Sequence, residues 1–365
     1  MKIWHIGALV LLGLGFDLVR PGALGETFRF ATLVAFLPAL IFEAAWNLDL
    51  PTMRRAWKPI VLLAVPGVAL TAAVVAAGAH LLGGVALPLA LLLGAILSAT
   101  DPVAVVAIFR RLRVPKELAT IVESESLLND AVAVVVYRAV LAAVLGTAAS
   151  ASTLGIAGTA AIGSVLGIAL GIVVGILAAQ ALRVRSLPAH AAASLIAAYL
   201  AYAGAEYAGW SGIFAVVACG ITMREAERRS GDLQTALGVE RVWTWIATAA
   251  NAALFFLIGA AVAVPQVQRD WRALGATLCA VLVARFALAY GLLALAPGMA
   301  RSWKTVVRLA GVRGALSLAL ALALPAGLAG RGLAIDATFV VVLATVLLGA
   351  FAVEPRIARM DLGAD

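Results

Sequence analysis

At least ten stretches of this chain are continuously apolar over about 17–25 residues, the length a helix needs to cross a hydrocarbon core. Nothing else in the sequence constrains the fold as strongly, because a backbone in lipid must satisfy its own N–H and C=O groups. Only helices and closed barrels do so. Barrel strands alternate apolar and polar residues, and these runs do not. The chain is therefore expected to be an all-α polytopic membrane protein. Segmentation gives about twelve transmembrane helices, at 3–19, 28–49, 59–82, 85–109, 117–146, 154–181, 189–208, 211–223, 240–264, 271–296, 304–324 and 333–353. The eighth is short for a straight crossing, so it is expected to be tilted, broken or longer than its apolar run. Charged residues are 13% of the 365, against about 25% in soluble proteins. The 34 glycines suit closely packed membrane helices. No stretch is left over for a soluble domain, and 355–365 reads as a short cytoplasmic tail.

A formal net charge of +8 would permit a nucleic-acid partner, but its distribution argues for a bilayer instead. Alternate loops hold 19 and 5 of the Lys and Arg residues. The rich set runs from Lys2, Arg54, Arg55 and Lys58 through to Arg356 and Arg359. The poor set is Arg20, Arg29, Arg269, Arg272 and Arg331. This is the positive-inside asymmetry, and it places both termini in the cytoplasm. The first 16 residues carry one lysine and no small-x-small cleavage site, so they read as a retained helix and not a signal peptide. Cys219 and Cys279 fall inside apolar segments, which leaves no disulfide framework. His5, His80 and His190 stand far apart at segment ends. With no nucleophile–base pair and no His-Glu-x-x-His motif, neither an enzyme nor a bound cofactor is expected.

Orientation exposes a symmetry. Spans three to five start inside and spans ten to twelve start outside, and each triplet has an interrupted middle helix. The interruptions are Ala99-Thr100-Asp101-Pro102 and Gly311-Val312-Arg313-Gly314. Pro102 removes a backbone donor, and the glycines permit unwinding. Two inverted-topology repeats with broken crossing helices are the architecture in which secondary transporters hold an ion near the midplane.

The fifth span carries Glu125, Ser126, Asn129 and Asp130 at i, i+1, i+4 and i+5, so one face presents oxygen ligands. A charge at bilayer centre costs about 2.5–3.5 kcal/mol on insertion scales, which points to a functional reason for keeping it. Asp130, with Ser126 one turn earlier, offers hard oxygens suited to a monovalent cation and a carboxylate for a proton. The competing reading is permanent pairing with a buried arginine. Glu125 suits that role better, with Arg285 of the tenth span as partner and a structural bridge as the result. Asn129 is neutral, leaving a single titrating carboxylate at this step, and it also suits a helix–helix hydrogen bond to Thr100. Thr100-Asp101-Pro102 reads either as a capped kink or as part of the site, with Thr100 adding an oxygen and Asp101 offsetting helix-end dipoles. Arg313 either supplies the complementary positive charge in the second break or is purely structural. Glu43, in the second span, either reaches the site from another domain or lies near the cytoplasmic end. Asp17, Asp49, His80 and Glu206 sit near span ends and are expected to be solvated. Glu123 faces differently and carries no assigned role.

Five segments together resemble the prokaryotic Na⁺/H⁺ antiporters of the monovalent cation–proton antiporter family, in the subfamily that includes the sodium–proton exchangers. They are LPALIFEAAWNLDL (37–50), GAILSATDPVAVVAIFRRLRVP (94–115), ESESLLNDAVAVVVYR (123–138), VARF (283–286) and GVRGALSLALALALP (311–325). The resemblance implies the sodium–proton antiporter fold, with Na⁺ held at Asp130, Ser126 and Thr100 and supported by Asp101 and Asn129. It also implies that Glu43 lines the cavity and that Glu125 pairs with Arg285. It implies a homodimer in which a core ion-transport domain (57–146 and 271–354) slides past a dimerisation domain (1–56 and 147–270). The Asn129-Asp130 pair resembles that of electroneutral members. Two departures are an apparently missing first helix and Ser124 where glycine is usual.

The expectation is an electroneutral Na⁺(Li⁺)/H⁺ antiporter in a prokaryotic inner membrane, serving pH homeostasis, with cation and proton competing for Asp130. The alternatives are a K⁺/H⁺ antiporter, which oxygen ligands serve equally, and a pH-gated cation channel. A channel filter is usually built by symmetric repetition around a pore, which this single acidic centre does not provide.

Overall fold

Every expected span meets a helix in the computed structural model, which describes residues 3–19, 26–101, 103–112, 114–146, 153–180, 186–230, 233–261, 269–295, 299–349, 353–360 and 362. Pro102, Lys2, Arg20, Arg113, Arg183 and Arg185 lie outside these described residues, as do the side chains of His5, Asp17, Arg29 and Arg110. The helices are α1 (Ile3–Val19), α2 (Glu26–Asn47), α3 (Leu50–Arg55), α4 (Trp57–Ala64), α5 (Pro66–Leu81), α6 (Leu87–Ile96), α7 (Val103–Leu112), α8 (Lys116–Val144) and α9 (Thr153–Ala179). There follow α10 (Leu187–Tyr207), α11 (Gly212–Ser230), α12 (Leu233–Gly259), α13 (Trp271–Phe286), α14 (Arg301–Leu309), α15 (Ala315–Leu322), α16 (Arg331–Leu348) and α17 (Glu354–Ile357). Among the described residues, six helical stretches are long and apolar enough to cross a membrane unaided: Trp57–Leu81, Lys116–Val144, Gly158–Ala179, Leu187–Tyr207, Trp271–Leu295 and Arg331–Leu348.

The fourth and eleventh spans are each two helices with an unwound join, α6–α7 and α14–α15, so both crossing helices are broken. The eighth span is longer than its apolar run. Helix α11 has 19 residues because Arg224–Arg229 continue it as a polar end, where Arg229 bonds Glu225 one turn earlier at 3.1 Å.

The chain divides into two compact units. The first comprises Met1–Phe30, Pro51–Val140 and Ala252–Asp365, and the second Ala31–Leu50 and Leu141–Asn251. Residues 1–30 and 252–270 thus group with the segments expected to form the transport core. Gly13 packs against the backbone of Phe256 and Ala260, and Gly259 against that of Val10, so α1 lies against the end of α12 with no side chain between them. In the same unit Gly94 of α6 meets the Ala72 carbonyl, and Gly78 of α5 meets Ala280 of α13.

In the second unit, glycines at 163, 167, 171 and 175 form a stripe down α9. The last three lie against Ser211, Ala215 and the Cys219–Thr222 turn of α11. With little hydrophobic drive between helices in lipid, such close backbone approach is what van der Waals packing requires. Trp243 of α12 packs tilted against the Phe42 ring and donates from Nε1 to Ser194 of α10 at 2.9 Å, filling that unit's core without an orphaned indole N–H.

Candidate ion site at the crossing of two broken helices

The first break begins where α6 ends at Ile96. Hydroxyls bond the carbonyls there: Ser98 Oγ donates to Ala95 at 2.7 Å, beside its own N–H at 3.3 Å, and Ser317 of α15 donates to Ile96 at 3.0 Å. Such partners are needed because an unbonded carbonyl away from water is expensive. The two breaks meet directly through the Asp101 N–H, which donates to the Val312 carbonyl at 2.8 Å. The Arg313 N–H is held by Thr345 Oγ1 of α16 at 3.0 Å.

Helix α8 runs beside this crossing. Ser126 donates to the Thr100 carbonyl, and Asn129 Nδ2 lies 3.5 Å from Thr100 Oγ1 and 3.3 Å from Glu125 Oε1. Asp130 receives a backbone hydrogen bond from Thr100 and lies within electrostatic reach of Asp101 and Arg313. Thr100, Ser126 and Asn129 are all buried. Asp130 Oδ1 and Asn129 Oδ1 are buried acceptor oxygens with no hydrogen-bond donor among the described residues.

Beside this group, Arg285 Nη1 donates to Glu125 Oε1 at 2.6 Å and Nη2 donates to the Val307 carbonyl of α14 at 2.9 Å. Both side chains are almost fully buried. Arg285 therefore ties α13 to α8 and α14, and it stands just before a π turn at Ala287–Gly291. Single π turns are often found at functional positions. Arg313 is 1% exposed, donates to its neighbouring Gly311 carbonyl at 3.3 Å, and lies within electrostatic reach of Glu125 and Asp130.

Thr100, Asp101, Glu125, Ser126, Asn129, Asp130, Arg285 and Arg313 thus belong to one unit and converge on the crossing. Glu43 belongs to the second unit, where its carboxylate accepts from Asn47 Nδ2 at 2.8 Å. Two side chains expected at water do local structural work. Glu206 accepts the first N–H of α11, from Gly212 at 3.0 Å, and His80 Nδ1 meets the Val85 carbonyl at 2.8 Å. His190 is buried within α10 and lies 3.3 Å from Glu227 of α11. Asp336 of α16 is also buried. Glu227 sits in an Arg-rich run that looks solvated, and Asp336 shares no motif with other polar residues. Only the buried side of each helix separates them from ordinary surface carboxylates.

A family model described as the transmembrane sodium/hydrogen exchanger matches residues 2–358. The Na(+)/H(+) antiporter ApNhaP of Aphanothece halophytica is 34% identical over 98% of this chain. The low-affinity Na(+)/H(+) antiporter NhaS1 of Synechocystis sp. is 33% identical over 90% of it. The matches span 70% and 64% of those two relatives' own lengths. Among solved structures, the sodium proton antiporter MjNhaP1 of Methanocaldococcus jannaschii superimposes with a TM-score of 0.80 at 21% identity, covering 98% of this chain and 92% of that one.

Proposed function

We propose that this chain, which belongs to the sodium/hydrogen exchanger family, is an electroneutral Na⁺(Li⁺)/H⁺ antiporter working by elevator-type alternating access. The observation that carries the reading is the pair of buried acceptor oxygens without donors among the described residues, Asp130 Oδ1 and Asn129 Oδ1, beside the crossing of two broken helices. Oxygen acceptors without donors are what a small hard cation replaces its hydration shell with. The similarity to relatives known as Na(+)/H(+) antiporters supports sodium and protons as the exchanged ions.

In this mechanism the Asp130 carboxylate binds Na⁺ together with the Ser126 and Thr100 oxygens, and Asp101 and Asn129 hold that geometry. On the other side of the membrane a proton adds to the same carboxylate and the cation leaves. Each loading places one positive charge on one carboxylate, and Asn129 stays neutral, so the exchange moves no net charge. Glu125 and Arg285 hold the core together, and Arg313 balances the acidic groups of the crossing. The core ion-transport domain (57–146 and 271–354) moves, the dimerisation domain (1–56 and 147–270) forms the scaffold of a homodimer, and Glu43 lines the ion cavity. The positive-inside count supports an inner-membrane protein with both termini in the cytoplasm.

Proteoliposomes carrying a pH dye test the proposal. Wild type should exchange Na⁺ and Li⁺ for protons at rates indifferent to membrane potential, and Asp130→Asn should abolish exchange. Exchange by Asp130→Asn at the wild-type rate would overturn the site. Potential-sensitive rates in wild type would overturn electroneutrality, and a preference for K⁺ would replace the ion.

A further inference from the structure

Arg331 opens α16 in a loop that the site itself does not use, yet its guanidinium reaches back across that loop. Its Nε donates to the Leu324 carbonyl at 2.8 Å and its Nη2 to the Leu322 carbonyl at 3.2 Å. Leu322 is the last residue of α15, whose other end is the Gly311–Gly314 break. The remaining carbonyls of that terminus are partly used by the chain itself. Ala319 accepts from Ala323 at 2.9 Å, and Ala321 accepts from Leu324 at 3.4 Å. Pro325 then prevents continuation of the helix. Arg331 supplies the two donors that the backbone lacks, and its charge also faces the negative end of the helix dipole.

The anchor of this clamp is itself fixed. Gly330 has φ +79°, a conformation that side chains disfavour, and a Cβ there would meet Leu89 of α6. The residue before Arg331 is therefore seated against the Leu89 side chain of the first broken helix, while the Arg331 side chain grips the end of the second. Helix α15 has eight residues, all buried, and is about 12 Å long, so it transmits a displacement at one end to the other. Its far end carries Gly314, against which Asp101 packs, and Ser317, which holds Ile96 at the end of α6.

We propose that Arg331 is a positioning residue for transport: it clamps the C-terminal end of the half-helix α15 to α6 and so sets where the second break meets Asp130. This inference rests on the transport reading of the site. An arginine fork suits the task because it binds two carbonyls at once, whereas lysine offers one compact charge.

The full-length chain is tested as wild type, Arg331→Gln and Arg331→Lys. Hydrogen–deuterium exchange over residues 311–324 should speed up about tenfold in Arg331→Gln, the worth of a charged hydrogen bond. At equal reconstituted amounts, the apparent KM for Na⁺ should rise severalfold in Arg331→Gln and return most of the way in Arg331→Lys. Unchanged protection together with an unchanged KM overturns the proposal. So does a variant that loses yield or thermal stability while its surviving protein keeps the wild-type KM, because that marks a purely structural role. If wild type exchanges no cation at all, the proposed function fails, and the hydrogen–deuterium arm still decides whether Arg331 holds the half-helix.

Discussion

The two breaks at the crossing are held open in opposite ways. In the first, neutral hydroxyls take up freed carbonyls, with Ser98 on Ala95, Ser317 on Ile96 and Ser126 on Thr100. In the second, glycines let charged side chains press against the backbone. A Cβ on Gly311 would overlap the Arg285 side chain, and one on Gly314 would overlap Asp101. Hydroxyl partners can be lost singly, each removing one neutral hydrogen bond from a carbonyl. The glycine contacts are steric and electrostatic together, so disturbing one displaces a buried charge. The comparison teaches that the second break is the less tolerant one, although both are about equally short.

Four substitutions can break or sharpen that contrast. Arg285→Ala should be the most damaging, costing about 3–5 kcal/mol because it leaves Glu125 buried without its cation. Thermal unfolding in detergent measures this, and a smaller loss than for Ser126→Ala would reverse the comparison. Gly314→Ala comes next, at about 1–3 kcal/mol, the usual range for overpacking a filled site. Its Cβ would meet the Asp101 Cβ and carboxyl together, so rotation about χ1 gives no escape, and vesicle exchange should fall about tenfold or more. Ser126→Ala removes one hydroxyl from the Thr100 carbonyl and should cost about 1 kcal/mol, with a raised KM for Na⁺. Gly275→Ala supplies the baseline. Nothing lies within 4 Å of a Cβ there, and the change should stay within about 0.5 kcal/mol. A large effect at Gly275 would mean that any added methyl harms this fold, which would remove the special status of the second break.

Much of this organisation is legible in the sequence. Apolar length identified the helices because lipid leaves the backbone no alternative, and Pro and Gly clusters marked the two places where the ladder stops. The spacing of Glu125, Ser126, Asn129 and Asp130 put them on one face of α8, since helical periodicity is local. The full extent of α11 was not legible, because Arg224–Arg229 make a polar helix end that an apolar count discards. Nor was the burial of His190, Glu227 and Asp336, because each depends on which side of its helix a neighbour occupies. Arg331 counted in the sequence only as a loop charge.

The sequence by itself determined that this chain lives in a bilayer as a bundle of helices, that two of them are interrupted, and which face of α8 carries acceptor oxygens. Those properties follow from desolvation and from periodicity over a few turns. Only the tertiary structure decided that Asp101 bonds Val312, that Arg285 grips both Glu125 and Val307, and that Arg331 closes the far end of α15. Each of these joins residues far apart in the chain, or folds a side chain back over a loop. Their meeting is set by how helices pack and by which carbonyls that packing leaves without a donor.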